Sequence, residues 1–421
     1  MRAPTTSGKR YKPMKRIEGY DYDVVICGGG VVGCSLACLL AKANFKVALL
    51  DRDVRADRSS QKNDSRIFAI TISSKRILNK TGAWHLIPED SISPFRRMHV
   101  WDENGDGEIR FESASICEPA MGYIIAQNFL TDALFQKINE FENIDLIKGA
   151  SPKSIEKDAN AICIDIDNSQ ELKTKLVVAA DGSNSKVRQL CNINFQKHDY
   201  EQSALACVVT TEIEHSAVAR QRFLSDGPLA FLPMKNPHQS GIVWSAKPER
   251  IDELLKLDKA TFQNELAVAF ENKLGQIKES TERNIFPLSR AQADHYVQPR
   301  LALIGDSAHT VHPLAGLGAN LGILDSASLA EILIDTFNSD RDIGRLQVLR
   351  RYERWRRTEN QQIMYMLDGF KYLFENKFQS VQWLRNLGLD IVDEMPIVKN
   401  AIMARAMGLK GNLPRFARNY N

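Results

Sequence analysis

The sequence predicts an α/β fold in which a parallel layer is interleaved with an antiparallel sheet and closed by C-terminal helices. Three features predict it. A βαβ pattern begins at Asp21, strand-length runs fill 204–246, and a short buried strand at Leu301–Ile304 returns the chain to the first layer before helical period takes over at Gly318.

Taken in order, Tyr22–Cys27 reads as an apolar strand, Val31–Ala43 as an apolar helix and Lys46–Leu50 as a second buried strand, with the turn in Gly28-Gly29-Gly30. Thr71–Lys80 is helical, with Ile72, Ile77 and Leu78 apolar. Met98–Phe111 reads as a hairpin about Asn104-Gly105-Asp106-Gly107, a turn composition that supplies positive φ. Thr131–Phe141 has Leu134, Phe135 and Ile138 on one helical face. Leu176–Ala180 is a buried strand ending in Asp181-Gly182. Ala204–Glu212, Arg220–Leu224, Pro228–Pro233 and Gly241–Ala246 form the antiparallel part. Arg220 and Arg222, alternating with Phe223, imply one polar and one buried face.

The chain has 421 residues, 43% hydrophobic and 25% charged, the composition of an ordinary globular protein, and its formal charge of +3 makes no case for a nucleic-acid partner. Seven cysteines form no CxxC pair or metal-type cluster, and Cys27, Cys34 and Cys38 read as small hydrophobes of the first strand and helix. There is no apolar run of membrane-spanning length, roughly 18 residues. The first 16 residues hold six Lys or Arg and no acid. That arm reads as a disordered basic extension, an over-extended start before Met14, or a transit peptide.

Three motifs carry chemistry. In Gly28-x-Gly30-x-x-Gly33, between strand and helix, the first Gly permits the turn, the second lets backbone approach a pyrophosphate and the third lets helix and strand pack closely. The helix start supplies N–H groups for phosphate, and Asp51, 18 residues after Gly33, suits ribose hydroxyls. This is a Rossmann-like dinucleotide site. The second motif, Ala180-Asp181-Gly182-Ser183-x-Ser185-x-Val187-Arg188, follows a buried strand; helix capping accounts for Asp181 and Ser183 but leaves Gly182 and Arg188 unexplained. The third runs Leu303-Ile304-Gly305-Asp306-Ser307-Ala308-His309, then Pro313, then Gly316-Leu317-Gly318-Ala319-Asn320-Leu321-Gly322. It delivers a carboxylate suited to a polyol hydroxyl, then a glycine-rich helix start favouring a ring that gains negative charge.

These motifs, in this order, resemble the class A flavoprotein monooxygenases of the p-hydroxybenzoate hydroxylase fold. Within that class the chain is similar to the ubiquinone-biosynthesis hydroxylases through Asp64-Ser65-Arg66-Ile67-Phe68-Ala69-Ile70, Ser73, Leu78, Gly82, Trp84, Gly122-Tyr123-Ile124 and His312-Pro313-Leu314-Ala315-Gly316. The resemblance implies FAD as cofactor. Gly28, Gly30, Gly33 and Asp51 would hold its ADP half, Arg66 would approach the pyrophosphate or ribityl region, and Asp306 would bind the ribityl chain. Asp181 would belong to the motif linked to both FAD and the reductant. Pro313 would lie near the reactive flavin edge, with Gly318, Ala319 and Asn320 at the pyrimidine end. The chain departs from the family at Leu317, often Gln, and at Ala126-Gln127, usually Glu-Asn; Gln127 is carried as an FAD ligand on the strength of its amide.

The resemblance further implies that an external donor, NAD(P)H or a redox protein, reduces FAD, and that O2 gives a flavin hydroperoxide that hydroxylates an electron-rich ring. No catalytic triad or metal is expected, and the cofactor carries the chemistry. His312 is the candidate acid–base or hydrogen-bonding side chain, against ordinary packing. The substrate implied is a polyprenylated phenol, with a biosynthetic complex as a further partner. Met364, Met366, Leu367, Phe370, Tyr372, Leu373, Phe374, Phe378, Trp383 and Leu384 form an aromatic, apolar stretch. After Glu394 come Lys399, Arg405, Lys410, Arg415 and Arg418 without an acid. This end reads either as covering helices with a solvated basic tail or as a surface for anionic lipid or a partner complex. The corresponding location is cytoplasmic, peripheral to the inner membrane, or the mitochondrial matrix face if the arm is a transit peptide. Rival readings are a class A hydroxylase or epoxidase with a soluble substrate, and a non-catalytic prenyl-lipid carrier on the same fold. The expected division is a basic arm (1–20), a discontinuous FAD-binding part (21–95, 120–192 and 284–340), a substrate part (96–119 and 193–283) and a C-terminal helical region (341–421).

Overall fold

The computed structural model describes residues 19–53, 66–103, 105, 107–167, 170–311, 317–375 and 393–419. The basic arm through residue 18, Asp64, Ser65, Asn104, Asp106, the segment from His312 to Gly316, and Phe378, Trp383 and Leu384 lie outside them, as do the side chains of Leu317, Leu367, Phe370, Leu373 and Phe374.

The first layer starts with β1 (Tyr22–Cys27), α1 (Val31–Ala41) and β2 (Val47–Asp51). A small sheet and its helices follow: β3 (Ile67–Thr71), α2 (Ile72–Thr81), β4 (Ser93–Phe95), β5 (Arg97–Asp102), β6 (Glu108–Glu112), β7 (Gly122–Ala126) and α3 (Gln127–Asn139). Then come β8 (Ile144–Lys148), β9 (Pro152–Lys157), β10 (Ile162–Ile166), β11 (Glu171–Ala179) and α4 (Lys186–Leu190). The antiparallel part holds β12 (Phe195–Thr211), β13 (Val218–Leu224), β14 (Gly227–Pro233), β15 (Gln239–Ala246), α5 (Pro248–Lys256), α6 (Lys259–Ala269), β16 (Ile277–Ser280) and β17 (Asn284–Ala293). The chain ends with β18 (Val297–Gln298), β19 (Leu301–Leu303), β20 (His309–Thr310), α7 (Leu317–Phe337), α8 (Leu346–Glu375) and α9 (Pro396–Ala406).

An eight-stranded sheet has the spine β18-β19-β11-β1-β2-β8, its inner pairs parallel, with β9 and β10 attached to β11. Its strands are buried on both faces: Val24, Val25 and Ile26 are fully inaccessible, as a parallel sheet sandwiched between helices requires. Cys34 and Cys38 join that core, and burial pushes the Cys38 thiol up to about 12. A nine-stranded sheet runs β20-β17-β12-β15-β14-β13-β5-β6, with β16 on β12; β3-β7-β4 form a third. The hairpin expected at Met98–Phe111 is β5 and β6, paired Met98 to Phe111.

One face of the nine-stranded sheet packs Leu205, Phe231, Ile242 and Trp244 against Ile251, Leu254, Phe262 and Leu266 of α5 and α6. This corrects the reading of Arg220 and Arg222 as an ordinary polar face. Arg222 is 8% exposed, donates to Ala269 O at 2.6 Å and pairs with Glu271 at 2.9 Å, while Arg220 donates to His215 O at 2.9 Å. The Arg222 guanidinium caps the end of α6, and that of Arg220 ties down the turn before β13.

The solvated-tail reading of the C-terminal end also needs correction. Lys399 pairs with Asp393 (3.1 Å), Arg405 with Glu359 (2.8 Å) and Arg415 with Asp335 (2.7 Å). Met403, Met407 and Ala417 enter the main core, and Trp355 Nε1 donates to Asn412 O at 2.8 Å. The acids paired with Arg405 and Arg415 are distant in sequence and close in space.

Candidate flavin site

The three motifs converge at the C-terminal ends of β1, β11 and β19, where an open α/β sheet places its ligand. Gly28 has φ +116°, and a Cβ there would lie 2.2 Å from Ala180 O. A Cβ on Gly33 would lie 2.0 Å from Gly28 O. Both glycines are demanded by protein packing. Gly30 is different: it caps α1, its φ of −76° suits any residue, and a Cβ there would meet nothing within 4 Å among the described residues. The chain itself gives no reason for glycine at 30, whereas close approach of a phosphate does. Asp51, brought over by the pairing of β1 with β2, lies against this turn, its Oδ2 2.7 Å from where a Gly29 Cβ would stand.

Asp181 ends the strand beside β1. Its Oδ2 accepts from Lys186 N (2.8 Å) and Val187 N (3.2 Å), capping α4, and its Oδ1 is buried with no hydrogen-bond partner among the described residues. A buried carboxylate oxygen without a donor is costly, about 1–3 kcal/mol or more. The cap therefore accounts for half of the side chain. Arg188, unexplained by capping, proves to be the stitch between motifs: Nη1 donates to Ser307 O (2.9 Å), Nη2 to Ser183 O (2.6 Å), and the guanidinium stacks 3.6 Å from the Phe195 ring centre.

Gly305 takes φ +59°, and Asp306 follows in a short 3-10 turn. The Asp306 side chain is reachable by solvent, yet protein surrounds it closely. Burial raises its carboxyl above the ordinary range, with His309 opposing and Asp325 adding to the rise. Beneath it lies a network that sequence reasoning missed. Asp325 is fully buried; its Oδ2 accepts from Gly305 N (3.0 Å) and meets His309 Nε2 (2.5 Å), and its Oδ1 accepts from Arg356 Nε (2.7 Å) and Asn360 Nδ2 (3.2 Å). These contacts hold the Asp325 carboxyl well below the usual carboxylate range despite burial. A signal existed: Leu349, Tyr352, Arg356 and Asn360 fall on one helical stripe, so Arg356 and Asn360 had to enter the core and find partners there.

α7 starts beside this loop. A Cβ on Gly322 would lie 2.5 Å from Val32 Cγ2 and 3.3 Å from Gly305 Cα, so the first and third motifs touch. Among the described residues, a Cβ on Gly318 would meet only Val311 Cγ2, at 3.7 Å, an ordinary contact. The Asn320 side chain is engaged by β3, accepting from Thr71 N (2.9 Å) and donating to Ala69 O (2.7 Å). What Gly318, Ala319 and Asn320 offer a ligand is backbone. Arg66 and Gln127 meet through Gln127 N donating to Arg66 O (2.9 Å), and the Arg66 guanidinium lies 4.8 Å from the Phe286 ring centre. Pro313 and the candidate His312 lie outside the described residues. No group of metal-ligating side chains occurs among the described residues.

A Rossmann-type turn, a second strand-end carboxylate and a separate glycine-rich helix start, all facing one cleft beside an antiparallel sheet, define a dinucleotide-binding flavoprotein. Residues 21–366 match the family described as FAD binding domain, and the chain belongs to that family and binds FAD, within its monooxygenases. The 3-demethoxyubiquinol 3-hydroxylase of Escherichia coli is 32% identical over 388 residues, covering 92% of this chain and 98% of that one. Ubiquinone hydroxylase UbiL of Rhodospirillum rubrum is 33% identical, covering 92% and 89%. The crystal structure of p-nitrophenol 4-monooxygenase PnpA from Pseudomonas putida matches with a TM-score of 0.75 at 18% identity, covering 93% and 98%, a likeness of fold.

Proposed function

We propose that this chain hydroxylates the aromatic ring of a polyprenylated phenol in ubiquinone biosynthesis, using O2 and an external electron donor. The observation that carries it is the open Gly30 turn, where a Cβ would meet nothing within 4 Å among the described residues, beside the strand-end residues Asp51 and Asp181. Gly28, Gly30, Gly33 and Asp51 hold the ADP half of FAD; Arg66, Gln127, Asp181 and Asp306 serve its middle, and the backbone of Gly318, Ala319 and Asn320 its ring. Bound there, FAD supplies O2 activation and transfer of one oxygen atom. The chain's own residues orient the ring, exclude water and keep Asp306 poised over a fixed loop. Residues 21–95, 120–192 and 284–340 form the cofactor part, 96–119 and 193–283 the substrate wall, and 341–421 a helical cover.

The identities of the relatives support the substrate class. The single glycine-rich βαβ unit in the sequence favours a donor that binds transiently, NAD(P)H or a reduced redox protein. No helix among the described residues is long and apolar enough to cross a membrane. Ile397, 87% exposed, with Met395, Val398 and Ile402 on and beside α9, supports action at a membrane surface, the cytoplasmic face of the inner membrane or the matrix face. Gly318→Val tests the reading, because its side chain fits the protein. The variant should fold and melt like wild type while turnover of a prenylated phenol falls at least tenfold. Turnover at the wild-type rate would overturn the placement of the ring.

A further inference from the structure

Cross-strand partners point to one face of a sheet, so the face opposite α5 and α6 can be read off the register. Its central row runs Ile109, Val100, Gln221, Ala230, Val243, Ala206. Two rows mark where this face looks. On one side Phe223 joins Val311, Leu321 and Met364 in one apolar cluster, which ties the face to the third motif. In that same row Phe286, opposite Ala204, carries the Arg66 guanidinium 4.8 Å from its ring centre, and on the other side of the central row Ile67 Cδ1 lies 2.3 Å from where a Cβ on Gly241 would stand. The central row between them carries small residues, Ala206 and Ala230, while Ile67 fills the place over Gly241.

Gln221 is the anomaly in that row. It is 7% exposed and flanked by Val100 and Ala230, and its amide makes no hydrogen bond with any described residue. An amide that no described residue pairs is left to water or a ligand, and an apolar side chain of equal size would serve packing in this row better. We propose that the Gln221 amide is the substrate-orienting group: it hydrogen-bonds the ring hydroxyl of the phenol and so selects which ring carbon faces the flavin. A phenol hydroxyl both donates and accepts, and a carboxamide offers Oε1 to the first and Nε2–H to the second. The assignment rests on the aromatic-hydroxylase reading above.

The test uses FAD-loaded enzyme, a short-chain prenylphenol and its methyl ether, titrated by the change in flavin absorbance. Wild type should prefer the phenol about tenfold, the worth of roughly one neutral hydrogen bond. Gln221→Met should weaken phenol binding about tenfold, leave the ether unchanged and erase the preference. Flavin content should be unaffected, and the melting temperature equal or higher, because the variant removes an unpaired amide. Retained preference in Gln221→Met, or a variant that loses flavin and melts lower, would overturn the assignment. If wild type holds FAD but neither ligand perturbs it, the functional reading itself fails, and the assignment with it.

Discussion

Gly28, Gly30 and Gly33 belong to one motif but answer to different forces. Two are required by backbone contacts near 2 Å, and the third by nothing among the described residues. Gly33→Val should therefore abolish soluble folded protein. Gly30→Val should fold with a loss of no more than about 1 kcal/mol at the helix cap and emerge without yellow colour. Circular dichroism and the flavin absorbance band separate the two outcomes. Asp306 tests the same idea from the acid side. Its folded-state carboxyl is raised, so its ionisation opposes folding: the unfolded chain releases the proton first, and stability falls as pH rises through the folded value. Flavin-stripped Asp306→Asn should melt above flavin-stripped wild type near neutral pH. The gap should close below the unfolded carboxylate value of about 3.9. The loaded variant should release FAD more readily.

At the scale of elements, α7 and α8 are joined to the third motif by one carboxylate. Asp325→Asn keeps the shape but leaves Arg356 buried without its counter-charge, a change worth roughly 3–5 kcal/mol. Urea unfolding should show that loss near neutral pH. Because the Asp325 carboxyl is depressed in the folded state, its contribution is present above about pH 4 and fades below, so the difference from wild type should narrow on acidification. β13 and the loop after β15's neighbour β14 carry a second pH-sensitive joint. His215 Nδ1 accepts from Ala217 N at 3.0 Å while Nε2 faces Met234 O at 2.8 Å, and burial lowers its pKa. Stability should fall as pH drops through about 6.5, and His215→Gln should flatten that limb in thermal melts. Elements with strict apolar period were legible, β1 to the residue. α3 begins at Gln127, earlier than the expected Thr131, because its first turn is polar and uncapped. β9, β10, α5 and α6 went unread; β10 and α5 carry a regular period, but over only five and nine residues.

Over the whole molecule, the C-terminal end acts as a clasp. A Cβ on Gly408 would lie 2.1 Å from Ser73 Oγ, and Arg76 Nη1 donates to Ala417 O at 3.4 Å, so residues after Glu394 close over α2. Every flavin motif precedes this end, yet its packing ties it to the helix that follows β3. Truncation after Glu394 should lower the melting temperature and hasten trypsin cleavage and flavin loss. A truncated protein that melts and holds flavin like wild type would show the clasp to be dispensable.

By itself the sequence determined the class of fold, the family and the three motifs, because each rests on short-range rules: apolar period, glycine at a tight turn, a carboxylate at a strand end. Only the tertiary structure decided what each motif residue does. It divided the glycines into those the fold needs and the one it does not, gave Asp181 a capping oxygen and an unpaired one, and drew Asn320 onto β3. It also assembled Asp325, His309, Arg356 and Asn360 and set Gln221 alone in an apolar row. Those roles depend on which distant side chains arrive within hydrogen-bonding reach, and burial makes each match or mismatch costly.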